Sequence, residues 1–289
     1  MRFKDYKRPA TLEEAYELNQ KKSNRIVAGN MWLRLQKNCV GTAIDMCDLG
    51  LDKIEKENNE LKIGAMVTLR EMELNSTLNK MTGGSVQEAL SVIVGVQFRN
   101  SATVGGSVAL HAGFSDIVNI FLALDADVEL YKAGRMSLDE YIKRHKDSDI
   151  LMYVYVPINE GDFKYFAKRN TKNSLPVCNV SVFKSNQKVT VCIGARPGVA
   201  RKYVKSPNEN NADFIDNVMK SINFNSNIYA SAAYRRILAR TYLERGLCNE
   251  PFETTVERGL CNEPFETTVE RKLCEESVDI SVERRHEDD

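Results

Sequence analysis

The most chemically suggestive grouping in this chain is Gly105-Gly106, flanked by the hydroxyls of Thr103, Ser107 and Ser115 and followed by the acid Asp116. Glycine lacks Cβ, so this backbone is free to take positive φ and bring its N–H groups close to an anion, as phosphate-cradling nests do. The hydroxyls would add donors. An isolated Gly-Gly also serves a plain tight turn between buried strands; here the apolar, hydroxyl-rich surroundings favour the nest. A second grouping, Arg25-Ile-Val-Ala-Gly-Asn, reads as a buried strand breaking into a glycine turn at Gly29. Two glycine loops, at 28–33 and 103–107, would together grip both phosphates of a dinucleotide from opposite sides. The usual phosphate motifs are absent: no Gly-x-Gly-x-x-Gly follows a strand, and no Gly-x-x-x-x-Gly-Lys-Ser/Thr occurs. No residue pattern demands a general acid or a nucleophile, so no catalytic residue is assigned.

Metal chemistry is not indicated either. The seven cysteines, at 39, 47, 178, 192, 248, 261 and 274, include no Cys-x-x-Cys and are odd in number. That speaks against a disulfide framework, a zinc ribbon or an iron–sulfur ligand set in this chain, and predicts free thiols. His111, His145 and His286 are too scattered to suggest a metal site.

The elements that must position these residues mix short helices with strands. Four capping boxes, Thr11/Glu14, Thr68/Glu71, Ser85/Glu88 and Ser137/Glu140, each predict a helix start, the first over about residues 12–22. Strands are predicted at Thr42–Met46, Leu61–Val67, Val128–Tyr131, Ile150–Val156 and Phe163–Lys168. A hairpin joins 177–183 to 189–194 through the polar turn near Ser185-Asn186. An apolar helix runs from Ile117 to Leu124, and a long one from Asn227 to Arg245 stops at Gly246 as its C′ residue. The order favours an α+β class over a doubly wound parallel sheet.

Formal charge is zero and the pI is near 6.8, so the chain carries no electrostatic footprint for nucleic acid. The N-terminus lacks a signal-peptide core and nowhere do eighteen apolar residues run together, which predicts a cytoplasmic protein with no membrane partner. The last stretch differs in kind. Residues 244–256 are repeated letter for letter as 257–269, and a diverged third copy spans 270–282. Thirteen residues turn a helix by roughly 1300°, leaving equivalent positions about 140° apart. An odd period puts them on opposite faces of a strand. With Pro251 and Pro264 interrupting both, the tail 247–289 is read as a tandem duplication with a weakly ordered product.

With two glycine loops in view, the sequence resembles the FAD-binding subunit of the molybdenum hydroxylases, the xanthine dehydrogenase and carbon monoxide dehydrogenase medium-subunit family. The resemblance covers about residues 1–246. It rests on Ile26-Val-Ala-Gly-Asn-Met-Trp-Leu33, Asp48-Leu-Gly-Leu-Asp-Lys-Ile, Leu61-Lys-Ile-Gly-Ala-Met-Val-Thr-Leu, Arg99-Asn-Ser-Ala-Thr-Val-Gly-Gly-Ser with Asp116 and Leu122-Ala-Leu-Asp-Ala, and Ala232-Ala-Tyr-Arg-Arg-Ile-Leu-Ala. It implies a two-subdomain FAD-binding domain of the vanillyl-alcohol oxidase / p-cresol methylhydroxylase type over 1–157, divided near residue 55. A small α+β domain would follow over 158–246.

It further implies that Val27, Ala28, Gly29, Asn30, Met31, Trp32 and Leu33, with Thr103, Gly105, Gly106, Ser107 and Ser115, hold FAD. Asp116 would accept from its sugar or ribityl hydroxyls, and Lys168 and Arg169 would lie near the flavin. Met31 and Trp32 stand where the family usually has a hydroxyl residue and a polar or acidic one, which leaves backbone N–H groups to make the contacts of that loop. The function implied is electron transfer from an iron–sulfur subunit, itself fed by a molybdopterin subunit, through FAD to NAD or another acceptor. Two other readings stay open: a stand-alone flavin reductase of the enolpyruvyl sugar-nucleotide type, and a flavin-free scaffold descended from such a subunit.

Overall fold

A computed structural model of the chain describes residues 2–37 and 39–247. It opens with β1 (Arg2–Lys7), α1 (Leu12–Asn19), β2 (Arg25–Val27) and β3 (Cys39–Asp45), the strands forming a parallel sheet in the order β1-β3-β2. The hairpin β4 (Ile54–Glu57) and β5 (Glu60–Gly64) leads into six short helices: α2 (Leu69–Leu74), α3 (Ser76–Met81), α4 (Ser85–Ser91), α5 (Val96–Arg99), α6 (Val104–Ala109) and α7 (Asp116–Ala123). Then come β6 (Asp127–Leu130), β7 (Gly134–Ser137), α8 (Leu138–Lys143) and β8 (Leu151–Pro157). Strands β4 to β8 make an antiparallel sheet in the order β4-β5-β8-β6-β7. A four-stranded meander follows, β9 (Gly161–Arg169), β10 (Pro176–Ser185), β11 (Val189–Gly194) and β12 (Arg201–Lys205), and α9 (Asn211–Ser221) and α10 (Ala232–Leu247) close the described chain. The class is α+β. No described helix is long and apolar enough to cross a membrane.

Alternation along the meander explains how its pieces are held. On β10, Cys178, Val180 and Val182 face a core shared with α9 and α10, while Asn179, Ser181 and Phe183 face α7. Successive strand residues point to opposite sides, and because β10 is covered on both faces neither set is left to solvent from Pro176 to Phe183. Helix α7 is buried along its whole length, which is why it is apolar nearly all round. Each fully buried Ile, Phe or Leu in it contributes about 1.5–3 kcal/mol. Its one internal amide, Asn119, is matched by Asn179 and Ser181.

Two capping boxes form as the sequence predicts, at Thr68/Glu71 and Ser137/Glu140. At Thr11 the side chain caps Glu14, whose carboxylate reaches Ala10 N–H instead of completing the box. Ser85 is not a cap: Gly84, at φ 83°, takes that position because the chain turns left-handed there. The last helix starts at Ala232, later than expected, and Ile228 is 92% exposed on the loop before it. Nor does Gly246 end the helix. A Cβ there would come within 2.5 Å of Val182, so the glycine is a packing residue inside α10. Leu247, placed in the tail by the sequence reading, is buried with Val182 and Leu243 in the core beneath α10. The remainder of the repeats lies outside the described residues.

Candidate functional site

A cavity of about 810 Å³ opens where the end of β2, the turn after β5, α6, the start of α7 and the end of β9 converge. Of the residues singled out in the sequence, all but Val27 and Lys168 line it. Val27 is buried at the end of β2. Arg169 lines both the cavity and a separate groove of about 450 Å³ beside α4; Lys168 lines the groove alone.

The first loop owes its place to one contact. A Cβ on Gly29 would sit 1.6 Å from the carbonyl oxygen of Ser101, so the loop lies directly on the backbone leading into α6. The left-handed residue of the turn is Asn30, at φ 55°, and not Gly29; asparagine is among the few side chains that tolerate this region. Among the described residues, the backbone N–H groups of Gly29, Asn30, Met31 and Trp32 donate no backbone hydrogen bond. Asn30 Oδ1 is buried with no partner. Four consecutive N–H groups without a backbone partner among the described residues thus surround a left-handed residue at the wall of a cavity, the ingredients from which anion nests are built.

The second glycine stretch departs from expectation. Gly105 and Gly106 are helical, with no positive φ, and their N–H groups are already used. Val104 N–H donates to Val67 O at 2.9 Å, Gly105 N–H to Ala65 O at 2.8 Å, and Gly106 N–H to the Thr103 hydroxyl at 3.2 Å. The stretch is stitched to the turn after β5, and a Cβ on Gly105 would meet that of Ala65 at 2.6 Å. Gly106 differs. A Cβ there would touch only Thr103 Oγ1, at 3.1 Å, so this glycine keeps the cavity wall low. Ser107 spends its hydroxyl proton on Thr103 O at 2.9 Å, and Ser115 caps α7 by accepting from Val118 N–H.

Asp116 is 7% exposed and its carboxylate is occupied by the protein itself. Oδ1 accepts from the Tyr165 hydroxyl and, at 3.4 Å, from Asn179; Oδ2 accepts from Arg169 at 2.8 Å. Asp116 thus fixes Arg169, which also donates to Ser174 O at 2.8 Å. Burial and the adjacent Asp116 hold the Tyr165 phenol well above its usual pKa, so it stays a donor.

Sequence reasoning missed several lining residues. Phe114 lies against Trp32 with ring centroids 5.3 Å apart, and Tyr141 on α8, with Lys146 and Asp149 after it, lines the same cavity. Burial pushes the Tyr141 phenol up to about 12 and pulls the Lys146 ammonium down, while Lys146 Nζ donates to Leu110 O at 2.6 Å. No local pattern marks these residues; only the fold brings them to the loops. In all, Arg25, Arg34, Lys146 and Arg169 face the cavity against two carboxylates, Asp116 and Asp149. That excess of cations suits an anionic ligand.

The chain belongs to the family described as FAD binding domain in molybdopterin dehydrogenase, whose model matches residues 1–159. FAD is the cofactor of that family. The protein YgfM of Escherichia coli K12 is 29% identical over 139 residues, covering 47% of this chain and 52% of that protein; the chain thus spans about half the length of this relative. The nicotine 6-hydroxylase medium subunit of Paenarthrobacter nicotinovorans is 25% identical over 278 residues, 83% of this chain and 96% of that protein. Among solved structures, carbon monoxide dehydrogenase from Hydrogenophaga pseudoflava matches at a TM-score of 0.74 with 18% identity, over 86% of this chain and 96% of that one, a likeness of fold.

Proposed function

We propose that this chain is the FAD-carrying electron-transfer subunit of a cytoplasmic, xanthine dehydrogenase-like molybdenum hydroxylase, taking electrons from an iron–sulfur partner fed by a molybdopterin subunit and passing them to NAD or another acceptor. The observation that carries it is the open nest at 29–32. Its four N–H groups, without a backbone partner among the described residues, and the orphaned Asn30 Oδ1 suit a pyrophosphate and a neighbouring hydroxyl. Gly106 would let the cofactor approach α6, and Arg169, fixed by Asp116, would present a cation beside the ring system. Trp32 and Phe114 would shield one flank of the cavity from water. When bound, the flavin supplies two-electron and one-electron redox chemistry, and the chain's share is to hold it, orient it and set its electrostatic surroundings.

The domain division at residue 157 belongs to this proposal, with the meander and its two helices as the C-terminal domain that presents Arg169. The test is direct. The purified chain should be yellow and should release FAD on denaturation at one equivalent per chain. A colourless chain that takes up no added FAD would sink the reading and favour a flavin-free scaffold.

A further inference from the structure

Between α4 and α5 the chain runs through Ser91-Val-Ile-Val-Gly95, a segment whose Ile93 and Val94 form part of the cavity wall. Val94 has φ +52°. For a β-branched residue this left-handed conformation is a genuine outlier, sustained only where the surroundings over-determine it. The segment's own backbone bonding does not do so: Ile93 N–H donates to Leu90 O at 2.9 Å, and among the described residues Val94 and Gly95 donate no backbone hydrogen bond.

What over-determines it is Arg99, which is 4% exposed. Its guanidinium makes two bonds to Glu73, Nε to Oε2 at 2.7 Å and Nη2 to Oε1 at 3.3 Å. Its remaining nitrogen, Nη1, donates to Ser91 O at 2.9 Å and to Ile93 O at 3.2 Å. Glu73 is held in turn by Arg70, 2.8 Å from Oε1. One planar fork therefore ties a buried carboxylate on α2 to two carbonyls of the strained segment. A lysine's point charge could satisfy the carboxylate but not span both sets of acceptors.

We propose that Arg99 is a positioning residue that holds 91–95 in its strained form, so that the Ile93–Val94 wall of the cavity stands ready before the cofactor enters. The inference rests on the FAD reading for what enters, but not for the clamp itself. Pre-forming the wall removes an ordering cost from binding.

The test uses Arg99→Lys alone and combined with Val94→Gly or Val94→Ala, in the full chain. Two quantities are read: hydrogen-exchange protection of the Ile93 amide, which donates to Leu90 O, in flavin-free protein, and FAD affinity. Arg99→Lys should lower protection and weaken FAD by about tenfold, equivalent to ~1.4 kcal/mol. Val94→Gly should restore most of both, because glycine takes φ +52° without strain. Val94→Ala should not, because alanine removes the side chain but keeps the strain. Unchanged protection in Arg99→Lys, or equal rescue by Ala and Gly, would overturn the clamp. Lowered protection in a chain that binds no FAD at all would leave the clamp standing and remove the cofactor reading instead. If Arg99→Lys does not fold, Glu73→Gln should show the same Gly-specific rescue at smaller amplitude, and its absence counts equally against the proposal.

Discussion

The two glycine stretches that meet at this cavity look alike as text and work differently as structure. At 29–32 the chain is irregular, a left-handed Asn30 splays the backbone, and four successive N–H groups have no backbone partner among the described residues. At 104–106 the chain is helical and each N–H is bound to Val67, Ala65 or Thr103. Gly29 is there because the Ser101 carbonyl occupies the place of a Cβ, and Gly105 because Ala65 does; all three glycines line the cavity, but only at Gly106 would a Cβ meet no backbone or Cβ atom, touching only the Thr103 hydroxyl. A small residue thus marks close approach, but of what to what depends on the partner. In two of the three positions that partner is the protein itself.

The sharpest way to break this comparison is Gly29→Ala. A new Cβ at 1.6 Å from a backbone oxygen cannot be relieved by a rotamer change, so the loop must lift off. Overpacking of this kind costs about 1–3 kcal/mol and occasionally more. Gly29→Ala should sit at the top of that range in urea unfolding, with bound FAD lost. Wild-type stability and flavin content would show that the loops do not rest on one another.

The pair Gly105→Ala and Gly106→Ala divides the second stretch. Gly105→Ala pushes against Ala65 and should cost about 1–3 kcal/mol of stability. Gly106→Ala meets only a movable hydroxyl and replaces a helical glycine. Its stability should change by less than about 1 kcal/mol, in either direction, while FAD affinity falls. If both lose stability equally, the distinction between them is wrong. The bulkier Gly106→Val should abolish flavin binding in a protein that still folds.

Trp32 reports on the first loop without mutation. It is the only tryptophan, lines the cavity and packs on Phe114. Its emission should be strongly quenched in the FAD-bound protein and recover when FAD is stripped under non-denaturing conditions, after correction for inner-filter absorption. Unchanged emission would move the cofactor away from this loop.

The smallest effect concerns His111, beyond the second stretch. It sits at φ +51°, edge-on to Tyr141 at 4.7 Å, with Nε2 buried and without a partner among the described residues. Burial, and then the charge of Lys146, lower its pKa below the usual value. The folded state therefore prefers the neutral ring: this contribution is fully present above the unfolded pKa of about 6.5 and is lost as pH falls through the folded value. Between about pH 7.5 and about pH 5.5 the melting temperature should fall by about 1–2 °C more in the wild type than in His111→Asn, whose side chain tolerates the left-handed backbone. Parallel pH profiles would remove His111 from this account.

Much was legible because it is local. Thr68 with Glu71 and Ser137 with Glu140 set their helix starts through bonds three residues apart, and the meander's hairpin follows from alternation around a polar turn. The bonding of Asp116 is not legible in this way. Its partners Tyr165, Arg169 and Asn179 lie 49 to 63 residues away, and nothing in the residue types says that they will bind the carboxylate.

By itself, then, the sequence determined the class of fold, the segments that line the cavity and the cofactor family, because these depend on local hydrogen bonding, on hydrophobic period and on ordered motifs. The tertiary structure decided which N–H groups stay open, which glycine makes room for a ligand, and which arginines serve as clamps. Those outcomes depend on which distant backbone atoms come within hydrogen-bond or van der Waals reach of each residue, and only the packed chain sets those distances.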